Sequence, residues 1–218
     1  MDQDKVTKFY QFTLFGNFNA SSEESIIRAA SRRAYRDMCR TLCFNGDIKN
    51  DAKKIENEYS AVVTGIFLDE IPKCFTINNK MDFDAWHKKF CDSVISKFEK
   101  ACEEDKENQC RKFYYGQAQK WVNMTLKYLV MLLDSSKLAK VYPYLHIPID
   151  RIIIERANET LNVPPPVNGK KVVPWSKLNF ELYDQYQKDL RSKIGDQAPL
   201  DWESTAWIEA QKVEDQPK

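Results

Sequence analysis

Glycine is scarce in this chain: six residues in 218, well under half of the ~7% usual in globular proteins. That is too few for the turns of a large β-fold or for a dinucleotide-binding loop, so an all-α fold is expected. Long apolar runs are missing as well. The longest, such as Leu129 to Leu133, falls far short of the ~18 residues of a membrane span. The opening MDQDKVTKFYQF has neither the apolar run nor the cleavage site of a secretory signal. These absences predict a soluble, cytoplasmic protein with no membrane partner. Histidine is limited to His87 and His146, neither at zinc-site spacing, so a closed metal centre lacks support even though Cys39 and Cys43 stand four residues apart. The six cysteines of a chain this large read as reduced thiols, not as a disulfide framework. An excess of one charge is also lacking. Lys+Arg 33 against Asp+Glu 32 leaves a formal +1, so attraction to nucleic acid must come from local arrangement. No nucleophile elbow, Walker loop, zincin or paired-histidine iron motif occurs, and neither histidine has the upstream arginine of the Arg-x4–6-His helical ribonucleases. No cofactor is implied.

What the chain does have is core material. It is 43% hydrophobic and 30% charged, with 12 Phe, 10 Tyr and 5 Trp, which excludes disorder and low-complexity fibres. The expected architecture is a single-domain helical bundle of about six to seven helices, with a possible short extended or β segment over Lys5–Phe15, where Phe, Tyr and Thr cluster. Ser21 and Glu24 have capping-box spacing for a helix to about Leu42, with Ile27, Ala30, Ala34 and Met38 inward. A second helix over Asn50–Glu70 stops ahead of Pro72. Asp82 caps a third, on which Phe83, Trp86, Phe90, Val94 and Phe98 recur at helical spacing and His87 lies exposed. A long central helix spans about Lys106–Leu133. Asp150 caps a short helix over Arg151–Leu161, and the prolines of VPPPVNGKKVVP make 164–175 a connector between a main bundle (1–163) and C-terminal helices (176–212) that fold back on it. Those helices are Ser176–Ile194, stopped by Gly195, and a last one opening at Pro199 and Asp201.

Three constellations could carry chemistry. Arg28, Arg32, Arg36 and Arg40 repeat every fourth residue with Arg33 beside them, a band of guanidinium groups that repel one another and need anions. Phosphate is one such anion; acids of neighbouring helices are the other. On the central helix, Tyr115, Gly116, Gln117, Lys120, Asn123 and Lys127 interrupt an apolar element, and Lys120, Asn123 and Lys127 line one polar stripe headed by Gly116. A glycine there costs about 1 kcal/mol against alanine in a helix interior, which makes sense where a partner backbone or a ligand comes close. Tyr114, Tyr115 and Trp121 could stack on bases. Finally, His146 and Asp150 in LHIPIDR could form a general acid–base pair, although Pro148 breaks any helical register between them. The first reading is a phosphate-rich ligand, nucleic acid or nucleotide, held by the arginine band and the Lys/Asn stripe. The alternatives are a helical enzyme using His146, and an interaction protein or homo-oligomer contacting through Trp175, Trp202 and Trp207.

Overall fold

The computed structural model describes residues 2–43, 52–104 and 112–214. It is all-α: nine α-helices lie among the described residues, with one two-stranded hairpin. The helices are α1 (Gln3–Phe15), α2 (Glu23–Met38), α3 (Ala52–Cys74), α4 (Lys80–Glu104), α5 (Tyr115–Leu132), α6 (Ser135–Leu138), α7 (Arg151–Leu161), α8 (Phe180–Ile194) and α9 (Pro199–Glu214). Short 3₁₀ turns fall at Cys39–Thr41, Tyr142–Tyr144 and Trp175–Lys177. None of the described helices is long and apolar enough to cross a membrane.

Helix α5 is the axis around which the rest assembles. Nearly all of its residues are buried, because α2 and α4 pack on it, α8 covers its other side, and α3 fills the space between α2 and α4. Trp121 is the pivot: its ring meets Tyr35 at 4.8 Å and Phe67 at 5.1 Å. Its indole N–H donates to the Ser31 carbonyl at 3.0 Å, so burial leaves no orphan donor. The buried apolar residues form one cluster running from Phe15 to Ala206.

Several elements differ from the sequence expectation. Residues 5–15 are helical and not extended. The Asp2 carboxylate caps the Asp4 N–H at 3.2 Å, Asp4 pairs with Lys8 one turn on, and Gly16, with φ +72°, stops the helix. Aromatic β-propensity is weak where no neighbouring strand exists to realise it. Helix α2 is capped by Ser22, whose hydroxyl accepts from the Ser25 N–H at 3.2 Å, and not by Ser21. Helix α3 runs through Pro72 to Cys74, because burying Ile71 and Cys74 outweighs one missing backbone donor. Helix α4 starts two residues before Asp82: the Asn79 carbonyl oxygen of the side chain accepts from the Asp82 N–H while its amide donates back to the Asp82 carboxylate. Of the expected central helix, 106–111 lie outside the described residues, as does 50–51 of the second. The first turn of the expected 176–194 helix is a 3₁₀ turn, after which Asn179 caps α8. Within the expected connector, Val167–Asn168 (β1) pairs antiparallel with Lys171–Val172 (β2). The two-residue loop between them is Gly169-Lys170, with Gly169 at φ +62°.

Candidate functional site

Three groups of polar residues meet α5, and they differ in what they can do. The first is a largely internal network. The segment 145–149 is buried and, among the described residues, belongs to no helix or sheet, so its backbone groups need other partners. Two glutamines supply them. Gln119 accepts from the Ile149 N–H at 3.2 Å and donates to its carbonyl at 3.0 Å; Gln187 does the same for Ile147 at 3.3 and 2.7 Å. The Arg191 guanidinium closes the end of the segment on the Tyr144 and Leu145 carbonyls.

This clamp places His146 against His87, with ring centroids 4.4 Å apart. His87 is 1% exposed and not on the surface as its AWHKK context predicts, because α4 turns that face toward α5. Burial pushes both imidazoles below their ordinary pKa, His87 strongly, and each histidine's neighbours include cationic groups that act in the same direction. Both rings are therefore neutral near pH 7, and the hydrogen bonds then have defined senses. His146 Nε2–H donates to the Asp84 carboxylate at 2.9 Å, and the Tyr183 hydroxyl donates to His146 Nδ1 at 2.8 Å. The Asn123 amide donates to Tyr183 at 2.9 Å, and His87 Nε2–H donates to the Asn123 carbonyl oxygen at 2.7 Å. Partial burial works to raise the Asp84 pKa, but hydrogen bonds from His146 and Lys80 win and hold it well below the usual carboxylate range. The carboxylate on His146 is thus Asp84. Asp150, the partner suggested by sequence, instead caps α7 through the Ile153 N–H at 2.9 Å and accepts from Lys120 at 2.7 Å.

The second group is the cations singled out by spacing. Lys120 is buried on Asp150 and Lys127 meets the buried Glu203 at 2.5 Å. In the arginine band, Arg28 pairs with Glu24 at 2.8 Å, Arg33 with Asp37 at 3.4 Å, and Arg32 donates to the Phe15 carbonyl at 3.0 Å. Arg36 is engaged as well, and Arg40 is exposed in the 3₁₀ turn after α2. Lys120 and Lys127 tie α5 to the start of α7 and to α9, and Arg32 ties α2 to the end of α1, whereas Arg28 and Arg33 pair within α2 itself.

The third group is a cleft of about 190 Å³ at the start of α5, lined by Thr41, Cys43, Lys112, Tyr114, Gln117, Ser176 and Lys177. Three chain segments build it, and each is fixed for a local reason. Gln117 accepts from the Tyr114 N–H at 2.9 Å and donates to the Thr41 carbonyl at 2.9 Å and its hydroxyl at 3.1 Å, tying the turn after α2 to the first turn of α5. Gly116 donates its N–H to the Leu178 carbonyl at 2.9 Å, tying the 3₁₀ turn that carries Ser176 and Lys177 to the same place. The Lys112 ammonium stands 4.8 Å over the Tyr114 ring, a cation–π contact that directs it along the wall. The described lining holds two ammonium groups, two aliphatic hydroxyls, a phenol, an amide and a thiol, and no carboxylate.

Of the residues expected from sequence to bind or react, the structure brings Gln117 to this cleft, with Tyr114 beside it, and Asn123 and His146 to the internal network. Tyr115 is buried against Phe180 and Tyr183. Sequence reasoning missed Lys112, Ser176, Lys177, Asp84, Tyr183 and both glutamine clamps. No motif marks them, since most act with partners far along the chain. Among the described residues no group of three or more His, Cys, Asp or Glu is placed to hold a metal ion.

No family model, curated protein or solved structure matches the chain. Its class is therefore defined by its own geometry: an all-α, multi-helix protein with an internal polar network and a cation-lined cleft at one end of the central helix.

Proposed function

We propose that this protein binds a phosphate-bearing ligand, a nucleotide or a nucleic-acid strand, with a phosphate seated between Lys112 and Lys177. The observation that supports this reading is the described lining of the cleft, where two ammonium groups and the Ser176 hydroxyl stand together without a carboxylate; the Thr41 hydroxyl already donates to the Met38 carbonyl at 2.9 Å. Charge-assisted hydrogen bonds from such groups are about twice as strong as neutral ones. Arg40, exposed one residue before Thr41, adds positive potential, and the amino end of α5 contributes partial positive charge on the same side. A cleft of about 190 Å³ is smaller than the roughly 300–1,000 Å³ that encloses a drug-sized ligand. It suits one phosphate group with the remainder of the ligand lying outside, where the Tyr114 ring offers a stacking edge for a base. Arg28, Arg32, Arg33, Lys120 and Lys127 lie outside the lining of this cleft.

The test is fluorescence anisotropy with a labelled single-stranded oligonucleotide, and calorimetry with a nucleoside triphosphate, at salt concentrations from about 50 to 200 mM. Lys112→Gln/Lys177→Gln is expected to weaken binding about tenfold or more and to flatten the log K against log salt slope by roughly one to two. Arg28→Gln is expected to leave both unchanged. A wild-type protein that binds neither probe, or a double variant that binds like wild type, overturns the reading.

A further inference from the structure

Helix α1 presents an apolar band most of which is exposed. Val6, Phe9, Tyr10 and Leu14 fall at i, i+3, i+4 and i+8, one face of a helix, and Phe12 widens that face. Phe9 is 65% exposed, Tyr10 and Phe12 61% each, and Leu14 40%. Only the last turn of α1 is anchored. Phe15 is buried edge-on to Tyr128 at 5.2 Å, and Arg32 holds the Phe15 carbonyl. A helix of 13 residues is marginal in water without tertiary support, and the support its first three turns receive from the body is slight.

We infer that this face is a self-association surface, on which α1 of a second copy packs across a two-fold axis. Area is the first argument. Aromatic side chains bury about 150–250 Å² each, so three rings at about six-tenths exposure offer roughly 300–450 Å² per copy. Doubled across an isologous pair and extended by Leu14, this approaches the ~1,000 Å² that a specific interface requires. Charge is the second argument. Asp2, Asp4, Lys5 and Lys8 cancel within the helix, and Lys8 is already on Asp4, so α1 lacks the basic face that draws an amphipathic helix to an anionic bilayer. A neutral aromatic band suits a copy of itself, because self-pairing then sets no like charges against one another.

The experiment is sedimentation velocity of the full chain across a hundredfold concentration range, for wild type and for Phe9→Ser/Phe12→Ser. The replaced residues are exposed, so circular dichroism is expected to show the bundle intact. Wild type is expected to shift from a 25.6 kDa species to twice that mass as concentration rises, and the variant to stay at the monomer mass throughout. A wild type that remains monomeric, or a variant that dimerises equally well, overturns the inference. Co-sedimentation of wild type with phosphatidylserine-containing vesicles that is lost in the variant also overturns it, in favour of a lipid surface.

Discussion

Replacing Gly116 with alanine is expected to destabilise the protein by about 3 kcal/mol or more, among the largest effects of any single methyl group in the chain. The added carbon would stand 2.0 Å from the Trp175 carbonyl oxygen and 3.0 Å from both the Leu178 nitrogen and the Ser176 carbonyl carbon. All three contacts are backbone, so no side-chain rotation relieves them. The 3₁₀ turn must move off α5, and the hydrogen bond from Gly116 to Leu178 is lost with it. For a chain of this size the expected fall in melting temperature is roughly 6–12 °C. Gly65 is the control. A Cβ there meets nothing within 4 Å, so Gly65→Ala, inside exposed helix, is expected to stabilise by about 0.5–1 kcal/mol. Because the displaced turn carries Ser176 and Lys177, Gly116→Ala should also weaken phosphate binding. Thermal melts that place the two alanine variants within 1 °C of each other would show that the backbone approach at Gly116 is not as close as described.

The second large effect is loss of stability in mild acid. His87 and His146 both have folded pKa values depressed by burial, against about 6.5 in the unfolded chain. The unfolded state therefore takes up protons first as pH falls. Stability is complete above about pH 6.5 and declines below it at up to about 1.4 kcal/mol per pH unit for each histidine. Lys80 and Arg191 facing the pair disfavour a charged imidazole, while Asp84 opposes them. Asp84, also depressed when folded, adds a separate loss beginning below about pH 4, as protons reach the unfolded carboxylate. Urea midpoints are expected to be flat from pH 8 to 7 and to fall steeply from 6.5 to 5. His146→Gln should lower the midpoint at pH 7 and flatten that fall. An acid dependence identical to wild type in His146→Gln would show that His146 is not held neutral.

Much of the bundle was legible because it depends on local periodicity and local caps. Asp150 capping α7 and Gly195 ending α8, with φ +66°, are contacts within one turn, and the apolar spacing on α2 and α4 reads directly as burial. Gly116 was informative for the same reason: a glycine at an unfavourable position signals that something comes close. Where local signals compete, the reading failed. Asn79 and Asp82 both suit a cap, and the reciprocal pairing that decides between them depends on where the helix axis begins. The strand-like composition of 5–15 was overruled by side-chain pairing within one helix. The polar sites were least legible. Spacing placed Lys120, Asn123 and Lys127 on one stripe, but their partners Asp150, Tyr183 and Glu203 lie 30 to 76 residues away. Pattern alone could not distinguish a stripe that faces a ligand from one that faces the protein's own acids. Lys112 and Lys177 belong to no pattern at all, and only the folding of three segments onto the first turn of α5 brings them to one cleft.

The most direct test of the proposed phosphate seat is a nuclear magnetic resonance titration of ¹³C-methylated lysines with a nucleoside triphosphate, the resonances assigned by single Lys→Arg replacements. The Lys112 and Lys177 signals are expected to shift together along one saturation curve while Lys120 and Lys127, held by Asp150 and Glu203, stay in place. Movement of other lysines with Lys112 and Lys177 stationary, or no movement at all, would contradict it.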